Sequence, residues 1–391
     1  MMLRGFFAGI FLLTMTAAGF ASDPVAELQQ KIKAGAIKLE FDAQHGYLSS
    51  ILKNLKIPIS SQTLVFSKTS LQTERISPAT PRAMYFNDDV YVAWVPEGIL
   101  IEIMSVDPRA GSAFYVIAQE DDGKPLFERS AGHECSVCHY HTEAVPRFVP
   151  RLLFSSVLPD ATGNVEGAFP IPTTDQSPFS ERWGGWYVTG THGNQKHLGN
   201  ITVKTPASAF GNLPAIDFSR SSNVTDLKSR FDTTKYLSPH SDIVALMVLA
   251  HQAEVHNLIA FAGGKAGAAA RDVGEPLVKA MLFAGAPPLT APIRGTSNFA
   301  AEFAGQGPRD SHGRSLRDLD LKTRLFRYPL SYLIYSKPFN EMPEGIKAYV
   351  YRRLREVLTG EDKSPDFAYL SGTDRTALLE ILHETKPDFP R

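Results

Sequence analysis

The sequence predicts an α+β fold, with a β-rich N-terminal part followed by a mainly helical, loop-rich part. Three observations lead there. Between residues 57 and 119, short runs of β-branched and aromatic residues alternate with Pro, Gly, Asn and Asp turn signals. Beyond residue 240, apolar positions recur at helical spacing. Between these lies a stretch from 160 to 235 rich in Gly, Pro, Ser, Thr and Asn, longer than an idle connection in a compact protein. The 391 residues, 43% hydrophobic and 21% charged, have ordinary globular composition and suffice for two domains or one large irregular one. The 27 prolines and 29 glycines argue for many turns and against a simple helical bundle. A formal net charge of −1 gives no electrostatic case for nucleic acid or an anionic membrane.

Residues 1–21 read as a secretory signal peptide. Arg4 makes the start positive, Gly5 to Phe20 is apolar and uncharged, and Gly19-Phe20-Ala21 offers small residues for cleavage after Ala21. Those 16 apolar residues fall short of the ~20 that a spanning helix needs, which leaves an uncleaved anchor as the second reading. No later stretch is expected to span. Asp23 to Asn54 reads as helical, with Leu28, Ile32, Leu39, Leu48 and Ile51 as apolar markers interrupted by Gly35 and Gly46.

Strands follow at 63–66, 83–86, 90–95, 99–104 and 113–117, so residues 22–129 form an N-terminal helix and β-rich region. The acid pairs Asp88-Asp89 and Asp121-Asp122 sit where hairpin turns are expected, and turn chemistry explains them without a carboxylate site. Residues 130–391 form the second region. Its clearest helix runs from Ser241, a good N-cap, to Phe261, with Asp242 in the first turn and Gly263-Gly264 at the end. Ile243 to Leu249 is apolar nearly all round, which predicts burial. Gly285-Ala286-Pro287-Pro288 breaks the next helix, and Pro343 to Leu358 and Thr373 to His383 read as two terminal helices. There is no internal repeat.

The chemistry concentrates in Cys135-Ser136-Val137-Cys138-His139, which contains the only two cysteines. Cys-x-x-Cys-His is the attachment pattern of c-type haem. Each thiol adds across one vinyl group of the porphyrin, and the adjacent imidazole falls beneath the ring as proximal iron ligand. A redox dithiol, or half a zinc site completed by His133 and His141, would use the same cysteines. Haem attachment requires export, as does the leader, and together they point to the periplasm of a bacterium. One covalent haem c is the expected cofactor, with Cys135 and Cys138 as thioethers and His139 on the iron.

A sixth ligand should be imidazole or thioether. His251 is the first candidate and Met247, one turn earlier on the same face of the buried helix, is the alternative. His192 and His197, in the loop region after Trp183 and Trp186, come next. The two tryptophans could pack on the porphyrin edge or in the core. Arg182 and the run Arg309, Arg314, Arg317, Arg324 and Arg327 could receive the propionates, although interspersed aspartates make an ordinary salt-bridged surface the simpler reading of the run.

The chain resembles a family of large exported bacterial proteins that carry a cytochrome c domain. The resemblance covers most of the mature chain. It rests on residues 61–70 and 85–92, the haem motif, Ser177-Pro178-Phe179, residues 182–190, Gly313-Arg314-Ser315-Leu316-Arg317 and residues 324–329. It implies a monohaem exported protein with a cytochrome c-like haem-binding part, and it carries over only Cys135, Cys138 and His139. The leading function is electron transfer with a periplasmic redox partner protein. The alternatives are a haem enzyme with an open distal site, such as a peroxidase, and a haem-based redox or gas sensor. A two-haem peroxidase would need a second motif. No phosphate loop, nucleophile elbow or zinc-protease motif occurs.

Overall fold

Asp23 shows how closely the first helix is tied to the sheet it covers. Its carboxylate accepts from the amides of Val25 and Ala26 at 3.0 and 3.1 Å, capping α1 (Pro24–Lys33), whose first residue has no N–H to satisfy. The other oxygen accepts the hydroxyl of Tyr115, a residue of the sheet, at 2.6 Å. These observations come from a computed structural model that describes residues 23–107, 111–121, 123, 125–130, 135, 139, 152–208, 216–264 and 269–391. The expected leader, residues 1–21, lies outside the described residues. The helical stretch expected up to Asn54 divides in two. Gly35 and Gly46 adopt left-handed φ of +70° and +61°, so the chain turns before α2 (Leu48–Asn54) begins.

The α+β class is borne out by a seven-stranded antiparallel sheet in the order β6-β5-β4-β3-β2-β1-β9. Its strands are β1 (Thr63–Val65), β2 (Arg82–Phe86), β3 (Val90–Trp94), β4 (Leu100–Asp107), β5 (Gly111–Ala118), β6 (Glu128–Arg129) and β9 (Trp186–Tyr187). The β2–β3 turn is made by Asn87, whose side-chain oxygen accepts from the amides of Asp89 and Val90 at 3.0 and 2.9 Å. Turn chemistry therefore accounts for the backbone at Asp88-Asp89, as expected.

Alternation sets the two faces of the sheet. Ala83, Tyr85, Val92, Ile101, Ile103, Ala113, Tyr115 and Ile117 share a core with Val25 and Leu28 of α1 and Leu48, Ile51 and Leu52 of α2. The opposite face carries Met84, Phe86, Tyr91, Met104 and Val106, which join the core of the helical part. The later half of the chain contributes to both layers. β9 pairs with β1, and Leu227, Phe231 and Tyr236 pack on the α1–α2 side. The division expected at residue 129 therefore separates neither the sheet nor the cores.

Residues 152–208 and 216–240 are irregular, with a small sheet of β7 (Ser155–Leu158), β8 (Ile171–Pro172) and β11 (Ala207–Ser208). A strand pair joins β10 (Gly190–Thr191) to β12 (Arg294–Gly295). The helices are α3 (Ile243–Gly264), α4 (Ala270–Met281), α5 (Phe299–Ala304), α6 (Lys337–Asn340), α7 (Glu344–Thr359) and α8 (Gly372–Thr385). Gly274 permits the close approach of α4 to α7, since a Cβ there would lie 2.6 Å from the Tyr349 ring. A left-handed Gly360 ends α7, and Ser371 with Asp374 forms a capping box on α8.

The cap of α3 differs from the expectation. Asp242, not Ser241, accepts from the Val244 amide at 2.8 Å, and it also accepts from the amides of Thr296 and Ser297 at 2.9 and 2.7 Å. Ser241 instead binds α3 to the sheet, donating to the Tyr187 carbonyl at 2.6 Å and accepting from the Leu64 amide at 2.9 Å. By length and composition α3 could cross a bilayer, contrary to the expectation that nothing after the leader would. Its most apolar window is 78% buried inside the protein, where every residue from Ile243 to Ala253 is buried.

Candidate functional site

The site begins at the sheet edge. β6 pairs with β5, and Ser130 donates its amide to the Phe114 carbonyl at 2.9 Å before the chain leaves toward the cysteine motif. Cys135 and His139 both have helical backbone and are partly exposed. Four residues is about one helical turn, a spacing at which two helical side chains share a side. The His139 ring packs on Phe114 of β5 with centroids 4.6 Å apart. A reachable thiol one turn from a reachable imidazole fits covalent haem attachment. Cys138 lies outside the described residues, as do His133 and His141 of the zinc alternative.

The helical part meets the same sheet face beside this turn. Gln252 of α3 donates to the Tyr91 hydroxyl at 2.6 Å, and His256 hydrogen-bonds the Asp88 carbonyl at 2.8 Å. The Asn257 side chain holds the Leu152 backbone, accepting from its amide at 2.8 Å and donating to its carbonyl at 2.9 Å. Burial pushes the His256 imidazole down to about 4.

His251 is placed differently from its expected role. It is fully buried and stacked on Phe283 at 4.3 Å, with Nδ1 2.5 Å from Asp175 Oδ2 and Nε2 2.8 Å from Ser331 Oγ. Both nitrogens are committed to protein groups, which leaves none for an iron in this arrangement. Carboxylate, imidazole and hydroxyl stand in the order that activates a serine nucleophile. All three are buried, however, and Ser331 Oγ also caps a turn by accepting from the Leu333 amide at 3.3 Å. The chain of bonds ties two loops to α3. Met247, the alternative ligand, is buried in the apolar core of the helical part.

His192 and His197 do come together, with ring centroids 4.7 Å apart, beside Trp183 and Phe179. His192 donates from Nε2 to the Ser221 carbonyl at 3.1 Å, which leaves Nδ1 as a lone-pair acceptor. His197 accepts the Gly199 amide on Nδ1 at 3.0 Å, so its Nε2 carries the proton. That tautomer makes His197 a donor and unsuited to a metal. Burial pushes it down to about 3, which keeps it neutral. Trp183 and Trp186 are core residues, and Trp186 donates to the Ser155 carbonyl at 2.8 Å.

The arginines that could have received propionates have protein partners, in keeping with the salt-bridged reading of the run. Arg182 is buried and donates to the carbonyls of Asp175 and Ser177 at 2.8 Å. Arg309 pairs with Asp318, Arg314 with Asp310 and Glu380, Arg317 with Asp88, and Arg324 with Asp374. Arg327 lies over the Tyr328 ring. Ligand atoms of Asp310, His312 and Glu384 lie within 4.8 Å of one another. Asp310 pairs with Arg314 and Glu384 accepts from the Ser311 hydroxyl, so both carboxylates already have protein partners. Glu254 lines a cleft of about 490 Å³ with Gln176, Arg271, Glu275 and Lys279. Burial, and after it the Asp175 carboxylate, push its carboxyl up to about 8.

Comparison with protein-family models, curated proteins and solved structures returns no match to this chain.

Proposed function

We propose that this chain is an exported monohaem c-type cytochrome that transfers single electrons in the periplasm. The observation that carries the reading is the Cys135–His139 run, in which the only two cysteines of the chain sit at haem-attachment spacing before a histidine. The helical backbone and partial exposure of Cys135 and His139 support it, as does the reading of residues 1–21 as a secretory leader. Cys135 and Cys138 would hold the porphyrin and His139 the iron, and the bound group would supply a one-electron couple. The apolar sheet face around Phe114 would exclude water from one side of His139 and fix its ring. The chain would then act with a redox partner protein and cycle between two oxidation states.

The test uses protein made in a bacterium with a haem-attachment pathway. Denatured, reduced protein should keep its Soret band and stain for peroxidase activity on a gel, and Cys135→Ser with Cys138→Ser should lose both. The mature chain should begin at Ser22 and be released by osmotic shock. Bound zinc with no Soret band would end the cytochrome reading. A high-spin iron that takes carbon monoxide readily would replace electron transfer with an enzyme or sensor.

A further inference from the structure

The cleft of about 490 Å³ between α3 and α4 has the size of a small-molecule site, and its unengaged polar atoms are mostly acceptors. Glu254 of α3 accepts the Asp175 amide on Oε2 at 3.2 Å, and its Oε1 has no partner among the described residues. Gln176 donates from Nε2 to the Ala284 carbonyl at 3.0 Å, which leaves Oε1 as its open acceptor. Pro276 sits inside α4 and has no N–H to offer the carbonyl of Asp272, four residues back, and both residues line the cleft. The other charged groups of the wall are engaged or balanced. Glu275 accepts from Arg353 and Tyr349, and Lys279 pairs with Asp366 at 2.6 Å. Arg271 and the Asp272 carboxylate are exposed neighbours of opposite sign. Beside Glu254, Arg182 is engaged with backbone carbonyls, and His251, one turn earlier, is bonded to the Asp175 carboxylate.

We propose that this cleft binds a small aliphatic amine as its ammonium ion. An ammonium group carries three N–H donors and no acceptor, which answers the open oxygens of Glu254, Gln176 and the Asp272 backbone. Leu258 and Pro276 supply apolar wall for the alkyl chain. Binding also settles the charge on Glu254. Burial, and after it the Asp175 carboxylate, hold the free carboxyl up to about 8. An ammonium beside it favours the carboxylate, so at neutral pH the amine enters as Glu254 gives up its proton to solvent.

Calorimetric titration of the purified full chain with butylamine reads affinity and, from two buffers of different ionisation enthalpy, proton release. Butyrate, of similar length and opposite charge, is the comparison. Butylamine should release nearly one proton at pH 7, and its affinity should rise about eightfold between pH 7 and pH 8.5. Glu254→Gln keeps an acceptor for the Asp175 amide; it should bind butylamine about tenfold more weakly at pH 8.5, with no proton release and no pH dependence. Arg271→Ala, at an exposed position, should strengthen butylamine binding about twofold. Thermal melts before titration establish that both variants are folded. Butyrate binding that weakens as pH rises and is lost in Arg271→Ala overturns the assignment in favour of an anion. No heat from butylamine at either pH, or wild-type binding by folded Glu254→Gln, overturns it as well.

Discussion

Truncating His251 distinguishes a tie within the core from an iron ligand. His251→Ala removes two buried hydrogen bonds, at 2.5 Å to Asp175 and 2.8 Å to Ser331. Losing the imidazole from a buried carboxylate costs about 1.5–3 kcal/mol, and leaving the Ser331 hydroxyl without its partner adds about 1–3 kcal/mol. The space vacated beside Phe283 adds a cavity term. A destabilisation of about 4–6 kcal/mol is therefore expected, a large part of the ~5–15 kcal/mol that holds a domain folded. Urea unfolding followed by tryptophan fluorescence should show the midpoint fall at constant m-value. Ser331→Ala should lower it less. A loss below ~1 kcal/mol, with a shifted Soret band, would refute the tie and return His251 to the iron.

The buried histidines make stability fall in acid. The folded values of His256 and His197, about 4 and about 3, lie below the unfolded value. Their contribution is complete above the unfolded value of about 6.5 and is lost as pH falls through the folded values. For His256 the span is worth about 3 kcal/mol, and the stability difference between wild type and His256→Gln, measured by urea titration from pH 7 to 4, should change by that amount in favour of the variant. Glu254 runs in the opposite sense. Its folded value of about 8 lies above the ordinary carboxyl range, so stability is lost as pH rises from 4.5 to 8, and Glu254→Gln should gain on wild type across that interval in thermal melts. Asp242→Ala leaves the amides of Val244, Thr296 and Ser297 without their acceptor and should cost about 3 kcal/mol, read as a lower urea midpoint.

The strands at 82–86, 90–94 and 100–107 were legible because turn residues punctuate each run and alternation marks two faces. The buried helix after Asp242 was legible because seven consecutive apolar positions leave no solvent face. β9 was not, since two residues carry no period and Trp186-Tyr187 joins the sheet by pairing with residues more than 120 positions earlier. Asp175 and Ser331 lie 76 and 80 positions from His251, in loops without a helical or strand pattern. Nothing local announces that these three meet, so a buried histidine on an apolar helix looked for the one partner the sequence offered, an iron. Ser241 reads from the sequence as the cap and Asp242 as a first-turn residue, and their exchange of roles depends on Tyr187 and Ser297.

The strand order of the sheet has a consequence for how the chain assembles. β6 and β9 are the two outer strands, yet they are separated in sequence only by the segment from 130 to 185. That segment is fastened at both margins, across six strand spacings of about 4.8 Å each. The hairpins from β2 to β5 need only local contacts and can form while the rest of the chain is still emerging. The β1–β9 seam pairs residues more than 120 positions apart, so it is expected to form late in folding. A cut within this strap would leave both halves attached, each held by its own edge of the sheet.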